Sequence, residues 1–222
     1  TLNSDLLLDA VSGIGRYQGQ GESSGLIFAN PNAPTSLAFT RKEVQNFLDV
    51  YPQYKVLVID EAYVDFGKES VVPLVNQYKN LVVTRTFSKS LCFAGIRLGY
   101  VVANPEIIKR IFTVKNSFNH FPVDVLAATA GVAACNATNY YVGITQKITQ
   151  TRDWFITTLR KKGWVIPQSE TNFVLCKKEG LQGQSIYEAI KKQGFLVRYF
   201  ATAGIDDCVR VSIGTQEQME KL

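Results

Sequence analysis

Residues 81–97 read L-V-V-T-R-T-F-S-K-S-L-C-F-A-G-I-R. The segment opens with a Val-rich apolar run, a composition typical of a buried parallel strand. Small hydroxyl residues follow, including Thr86 and Ser88, before Lys89 and, eight residues later, Arg97. A lysine at the end of such a strand can form an imine with an aldehyde while nearby hydroxyls and an arginine hold a phosphate. An exposed lysine beside serines explains the same segment equally well.

Two more fragments place polar residues directly after apolar strands. Residues 55–67 read K-V-L-V-I-D-E-A-Y-V-D-F-G, with a strand that ends at Asp60. Residues 30–36 read N-P-N-A-P-T-S and follow the apolar run G-L-I-F-A. In open α/β sheets, ligands bind outside the carboxyl ends of the strands. Asp60 and Lys89 are therefore expected to face the same crevice.

Taken together, three motifs in this order resemble those of the fold-type I pyridoxal-phosphate enzymes. They are N-P-x-x-P-T, D-x-A-Y and T-x-S-K with an arginine eight residues after the lysine. Within that group the sequence resembles the class I/II aminotransferases, and among these the histidinol-phosphate aminotransferases. The resemblance implies pyridoxal 5'-phosphate as cofactor and amino transfer from a substrate such as histidinol phosphate to a 2-oxo acid such as 2-oxoglutarate. It also implies a homodimer in the intact enzyme.

Two other functions are compatible with the same residues. A decarboxylase that acts on threonine phosphate has the same lysine, aspartate and arginine set. Carbon dioxide release without consumption of a 2-oxo acid would identify it. A non-catalytic, aminotransferase-like module that binds a ligand in a transcription regulator is the second alternative, and it would need a DNA-binding domain.

The resemblance also implies a role for each residue at the strand ends. Lys89 would be the catalytic residue, which binds the cofactor aldehyde and moves a proton at the substrate. Asp60 would pair with the pyridine nitrogen, and Tyr63 would donate a hydrogen bond to O3′ of the ring. A turn cap and an aromatic packed at a sheet end are the structural alternatives for these two residues. The implied phosphate ligands are Thr86, Ser88 and Arg97.

One cofactor contact departs from the family pattern. Relatives carry an Asn directly before the second Pro of N-P-x-x-P-T, where it donates to O3′, and this chain has Ala33 there. Asn32 is the candidate substitute, with Asn30 as the alternative.

Two arginines near the C-terminus resemble substrate-binding residues of the family. Arg210, in C-V-R-V-S-I-G-T, matches the arginine that holds the substrate α-carboxylate. Arg198, in G-F-L-V-R, matches one that contacts the phosphate end, although relatives usually have Pro where this chain has Tyr199. A structural ion pair is the alternative for Arg210. Two arginines from one domain suit a substrate with two anionic ends.

Composition argues against several other functions. The 222 residues carry 24 Lys and Arg against 19 Asp and Glu, but the basic residues are scattered, which disfavours a nucleic-acid binder. The four cysteines form no C-x-x-C motif and only one histidine accompanies them, so we expect free thiols, no metal site and a reducing, cytoplasmic location. Apolar stretches of transmembrane length are absent, so no membrane partner is expected.

Alternating strands and helices predict an α/β fold with a mostly parallel sheet covered by helices. We assign residues 1–145 to part of a large cofactor-binding domain and residues 146–222 to a smaller α+β domain. The local predictions are a helical or strand–helix entry in residues 1–12, a loop at Ser12–Gly25, a capping box at Thr40–Glu43, a helix from Asn104 to about Phe112, a loop at Asn116–Pro122, a buried helix at Val123–Ala137, a long helix at Asn139–Lys162 and a strand at Phe195–Arg198.

The resemblance covers nearly the whole chain but only the middle and C-terminal parts of the family pattern. The family's N-terminal arm and its Gly-rich segment at a helix N-terminus, a strong anion site, are missing. We therefore expect a fragment of a larger enzyme, which alone is inactive or free of cofactor.

Overall fold

The protein was examined as a computed structural model, which describes residues 25–67 and 69–222. The predictions for residues 1–12 and for the loop at Ser12–Gly25 lie outside the described residues, apart from Gly25. That glycine is the first residue of a strand rather than the end of a loop.

The first sheet contains β1 (Gly25–Ala29), β2 (Val56–Asp60), β3 (Leu81–Thr86) and β4 (Gly99–Ala103). These strands pair in the order β1-β2-β3-β4. The first three are parallel, and β4 pairs antiparallel with β3 at one edge. This arrangement confirms the predicted α/β fold with a mostly parallel sheet.

The register of the parallel strands brings their carboxyl ends to one edge. Ala29 lies opposite Asp60, and Asp60 lies opposite Thr84. The loops that follow β1, β2 and β3 therefore leave the sheet side by side. These loops carry the three sequence motifs, so the sheet itself assembles them.

One face of this sheet packs against α1 (Arg41–Val50). Thr40 caps the helix: its hydroxyl accepts from the Glu43 amide while the Glu43 side chain accepts from the Thr40 amide, which confirms the predicted capping box. The helix buries Val44, Phe47 and Leu48. On the sheet side the fully buried residues are Leu57, Ile59, Leu81 and Val83. Each large apolar side chain contributes about 1.5–3 kcal/mol on burial.

Two helices after β4 differ from prediction. The first, α2 (Pro105–Phe118), begins at the predicted Asn104 cap but continues past Phe112, so the loop prediction at Asn116–Pro122 was wrong for its first three residues. Its backbone hydrogen bonds continue to the helix end, where the Asn119 amide donates to the Lys115 carbonyl.

The second helix, α3 (Val125–Asn136), was predicted to be buried on all sides, and this prediction was wrong. Its buried residues are Ala127, Gly131 and Ala134, whereas Val125 and Leu126 are 78% and 77% exposed. An all-round apolar sequence does not indicate which face packs, and here the face of small residues does. A Cβ added at Gly131 would meet Cδ2 of Leu98 at 2.6 Å, so the helix packs closely.

The long helix α4 (Thr138–Lys161) was correctly predicted and leads into the second sheet. The remaining elements are β5 (Trp164–Val165), β6 (Phe173–Lys178), α5 (Gly183–Lys192), β7 (Arg198–Tyr199), β8 (Val209–Ser212) and α6 (Gln216–Lys221). The strands pair antiparallel in the order β5-β6-β8-β7. No helix in the described ranges is both long and apolar enough to cross a membrane.

The predicted strand at Phe195–Arg198 was wrong except for its last residue. Gly194 has φ +87°, and the Phe195 amide donates to the Ile190 carbonyl at 3.3 Å, so these residues close the end of α5. Extended pairing begins only at Arg198.

Each sheet has its own buried core, and α4 packs against both parts of the chain. The second core contains Phe155 and Ile156 of α4 together with Val174, Val209 and Val211. The proposed domain boundary after residue 145 falls within α4 and stays a prediction.

Candidate functional site

Asp60 ends β2 at the shared strand edge. Its Oδ1 accepts a hydrogen bond from the Ala62 amide at 3.0 Å, so the carboxylate shapes the turn that leads to Tyr63. Among the described residues, Ala62 is the only donor to the Asp60 carboxylate, which leaves Oδ2 available to a ligand. The turn-cap role and the proposed cofactor role are therefore compatible, since each uses a different oxygen.

Lys89 lies beside Tyr63, which follows the neighbouring strand. The Lys89 Nζ is 5.2 Å from the centre of the Tyr63 ring. In the part of the chain that the structure describes, no carboxylate lies within ion-pair distance of this amine. Lys89 is half-buried. An amine that is held against an aromatic ring and not tied up in an ion pair can react with a bound ligand.

The Tyr63 ring connects this edge to the second sheet. It packs edge-on against Phe173, with ring centroids 5.2 Å apart. Arg210 Cζ lies 4.8 Å from the centre of the same Phe173 ring, on the other side of the contact. Lys89, Tyr63, Phe173 and Arg210 thus form a continuous series of contacts between residues from both sheets.

Arg198 and Arg210 lie directly opposite each other on β7 and β8. Both guanidinium groups lie near the Phe200 ring, at 5.5 and 5.6 Å. The Nε of Arg210 is buried and has no hydrogen-bond partner among the described residues. Like charges opposite each other on a sheet are destabilising unless an anion lies between them, and a buried unpaired donor is costly. This arrangement is suited to binding an anionic ligand.

The structure brings together two of the three proposed phosphate ligands. The Thr86 hydroxyl donates to Ser88 Oγ at 2.9 Å, and the Ser88 amide donates to Thr86 Oγ1 at 3.1 Å. Arg97 lies near these hydroxyls in the sheet, because it is two residues before Gly99, which pairs with Thr86. Its guanidinium, however, donates to the Ala94 carbonyl at 3.0 Å and is exposed rather than directed at the two hydroxyls.

The N-P-N-A-P-T-S segment distinguishes the two candidate asparagines. The Asn30 side chain is 3% exposed, accepts from the Phe39 amide at 2.7 Å and donates to the Phe39 carbonyl at 3.1 Å. Asn32 Oδ1 accepts from Thr35, while its Nδ2 donates to no other described residue. Both polar atoms of the Asn30 side chain bond to Phe39 and hold the loop, whereas the Nδ2 of Asn32 has no partner among the described residues, so Asn32 stays the candidate donor to a ligand.

Ser36 gives a stability prediction for the same loop. It has φ +65° and is fully buried, and its Oγ has no hydrogen-bond partner among the described residues. Left-handed backbone costs a non-glycine residue about 1–2 kcal/mol, which exceeds the entropic cost of glycine. We expect Ser36→Gly to raise the free energy of unfolding by about 1 kcal/mol in urea titration. Ser36→Ala isolates the hydroxyl, and a Ser36→Gly variant less stable than the parent would contradict this reading.

Phe173 and Phe200 are site residues that the sequence analysis missed. Both rings contact Arg210, and Phe173 also contacts Tyr63. Phe173 is the first residue of β6 and Phe200 follows Arg198 by two residues, but neither position in the sequence indicates which ring a distant arginine will touch. That information lies in the pairing of β6 and β8.

A larger apolar groove of about 730 Å³ lies away from these residues, between the second face of the first sheet and α2. Val56, Val58 and Val82 form its floor. None of the predicted site residues lines it, so we place the candidate site at the strand edge.

Known proteins resemble this chain over most of its length. The family model described as "Aminotransferase class I and II" matches residues 7–222. A histidinol-phosphate aminotransferase of Syntrophus aciditrophicus (strain SB) is 46% identical over 221 residues, which is all of this chain and 61% of that relative. The chain thus spans about three fifths of that relative's length.

Solved structures show the same fold. The histidinol-phosphate aminotransferase of Clostridium acetobutylicum superposes with a TM-score of 0.84 at 27% identity, over 96% of this chain and 64% of that one. The enzyme of the same name from Sinorhizobium meliloti, solved in complex with pyridoxal-5'-phosphate, gives a TM-score of 0.83 at 24% identity, over 97% and 58%.

Proposed function

This chain belongs to the class I and II aminotransferase family. We propose that it is part of a pyridoxal-phosphate-dependent aminotransferase. The reaction moves an amino group between a phosphorylated amino substrate and a 2-oxo acid, with histidinol phosphate and 2-oxoglutarate as the favoured pair. One observation carries the proposal. A series of contacts joins the unpaired amine of Lys89, through Tyr63 and Phe173, to the unpaired Nε of Arg210.

The residues present fit the chemical groups of the cofactor. A primary amine suits its aldehyde, the free oxygen of Asp60 suits its ring nitrogen, and the Tyr63 phenol suits O3′. Thr86 and Ser88 supply clustered hydroxyls for the phosphate. Arg97 would need a different side-chain rotamer to join them, because it now bonds to Ala94. Asn32 supplies the remaining donor near O3′ through its Nδ2.

When bound, the cofactor supplies an electron-withdrawing ring that stabilises negative charge at the α-carbon of the substrate. The half-buried carboxylate of Asp60 would accept from a protonated ring nitrogen and so favour its charged form. Lys89 acts as the base that moves a proton at the α-carbon, and Tyr63 limits where its amine can lie.

The two arginines determine which substrates bind. Arg210 is half-buried and its Nε lacks a partner, so it holds the α-carboxylate by charge-assisted hydrogen bonds. Arg198 is exposed at the mouth of the site, where it contacts the phosphate end. The pair explains a preference for a substrate with two anionic ends over an uncharged amine.

The assembly and location belong to the same proposal. We propose a homodimer in the cytoplasm, as the family resemblance implies. Cys92 and Cys135 are exposed and unpaired, which suits a reducing compartment.

Borohydride reduction tests the proposal directly. The intact enzyme that contains this chain is incubated with pyridoxal 5'-phosphate, reduced, digested and mapped by mass spectrometry. We expect a pyridoxyl adduct on Lys89, and none on Lys42, an exposed lysine of α1. An adduct elsewhere, or none, would contradict the cofactor assignment. Carbon dioxide release without consumption of 2-oxoglutarate would instead identify a decarboxylase.

Substitution of the arginines separates their roles. We expect Arg210→Met to raise KM for every amino substrate by about tenfold to a hundredfold, because a charge-assisted bond contributes about 1.5–3 kcal/mol. Arg198→Met is the matched comparison and should raise KM only for the phosphorylated substrate. Steady-state kinetics with histidinol phosphate and with unphosphorylated histidinol distinguish the two. Equal effects of both variants on both substrates would refute this division.

A further inference from the structure

A buried ionic network lies directly behind the candidate site. Glu61, whose side chain is fully buried, accepts from Arg85 Nε at 2.8 Å, from the Ser70 hydroxyl at 2.7 Å and from the Val71 amide at 2.6 Å. Its charge is therefore both paired and hydrogen-bonded, as a buried carboxylate requires.

The network continues from Arg85 to the loop of residues 87–93, which carries Lys89 and is called the lysine loop below. Arg85 Nη1 donates to Asp65 Oδ1 at 3.0 Å, and the Ser90 hydroxyl donates to Asp65 Oδ2. Asp65 thus uses both carboxylate oxygens, one towards β3 and one towards the residue after Lys89. Ser90 itself is 4% exposed, so its hydroxyl is held inside the protein.

Each member of the network is a close chain neighbour of a proposed cofactor residue. Glu61 follows Asp60, Asp65 lies two residues after Tyr63, Arg85 precedes Thr86, and Ser90 follows Lys89. The network therefore connects the turn after β2, the end of β3 and the loop that carries Lys89, without occupying the site.

We propose that the Glu61–Arg85–Asp65–Ser90 network positions the Lys89 amine over the Tyr63 ring. Asp65 and Ser90 are the positioning residues, since their hydrogen bond links the turn after Tyr63 to the loop that carries Lys89. The inference rests on the proposed function in treating Lys89 as the reacting amine, but its structural content is measured without cofactor. Loss of the Asp65–Ser90 bond releases the loop from 87 to 93 and moves the amine off the ring.

Two substitutions weaken the network without leaving Glu61 or Arg85 as an unpaired buried charge. Removing Glu61 or Arg85 would leave a buried charge unpaired, which destabilises the whole fold. Ser90→Ala removes only the terminal hydroxyl. Asp65→Asn changes a side chain that is 45% exposed, so it provides a second variant if Ser90→Ala folds poorly. The control is Ser117→Ala, which removes a similar bond, to the Thr113 carbonyl at 2.7 Å, at an exposed helix end.

Hydrogen exchange of the whole chain tests the proposal. The Cys92 amide donates to the Lys89 carbonyl and the Phe93 amide to the Phe87 carbonyl, so peptides across 87–93 report on the loop. We expect about tenfold faster exchange there in Ser90→Ala and Asp65→Asn, the effect of one hydrogen bond to a charged group. Peptides from β8 should be unchanged in both variants, and Ser117→Ala should leave the loop unchanged.

The reactivity of the Lys89 amine provides a second measurement. Reductive methylation with formaldehyde should modify Lys89 faster in both variants than in the parent, relative to Lys42 in the same sample. Pyridoxal phosphate should also bind more weakly. If the intact parent enzyme takes up no cofactor on Lys89, the proposed function fails, while exchange and methylation still decide the positioning role. Unchanged exchange in the loop and unchanged methylation of Lys89 would overturn the proposal.

Discussion

Replacement of Lys89 by alanine should lower the rate of amino transfer by about a thousandfold, the usual contribution of a positioned general base. The side chain is the one amine in contact with Tyr63, and no ion pair with another described residue holds it in a purely structural role. The variant should also lose the pyridoxyl adduct after borohydride reduction. Single-turnover measurement with the phosphorylated substrate reports the rate of the chemical step.

Two controls make this result specific to the amine. Lys89→Arg keeps the positive charge beside the Tyr63 ring but supplies no amine, so it should be as slow as the alanine variant. Lys42→Ala removes an exposed lysine and should retain the parent rate. A Lys89→Ala chain that keeps more than a tenth of the activity would exclude Lys89 as the base.

Arg152→Met should lower the free energy of unfolding by about 3 kcal/mol, because two buried carbonyls lose a charged donor. Arg152 lies in α4 and is 5% exposed. Its Nη1 donates to the Phe66 carbonyl at 2.8 Å and to the Thr171 carbonyl at 2.9 Å, and both bonds are buried. Methionine fills a similar volume but leaves both carbonyls without their donor.

The same residue connects the two halves of the site. Phe66 lies three residues after Tyr63, and Thr171 lies two residues before Phe173. Arg152 therefore holds together the two loops whose rings make the edge-on contact between the sheets. We expect Arg152→Met to weaken substrate binding as well as stability, because Arg210 depends on the Phe173 ring for its position.

Urea unfolding measures the stability change, and Arg160→Met is the matched control. Arg160 also lies in α4 and donates to a carbonyl, that of Ile166, but both ends of this bond lie in the second half of the chain. Its replacement should cost less and leave substrate binding unchanged. A loss below about 1 kcal/mol for Arg152→Met would show that water replaces the guanidinium at both carbonyls.

Features that depend on neighbouring residues were predicted correctly. The capping box needs only Thr40 and Glu43, which are three residues apart. The end of β2 at Asp60 follows from an apolar run that stops at a carboxylate. The Asn104 cap before Pro105 is equally local.

Features that depend on packing were predicted incorrectly. The apolar sequence of α3 did not reveal that Gly131 and its small neighbours would form the buried face. The residues before Arg198 have strand-like composition, but Gly194 directs them to close α5. At α3 a tertiary contact decides the outcome, whereas at Gly194 a hydrogen bond at the end of the preceding helix outweighs the strand-like composition. Local propensities differ among residues by less than about 1 kcal/mol, so either effect can outweigh them.

The three motifs, the strands before them and their convergence at one sheet edge all follow from the order of residues in the chain. Apolar runs form the strands, and parallel pairing collects whatever polar residues come next. The contact from Tyr63 to Phe173, the facing arginines and the network behind Lys89 do not follow from that order. They arise from strand register and side-chain packing between distant segments, whose energies depend on all the elements being in place together.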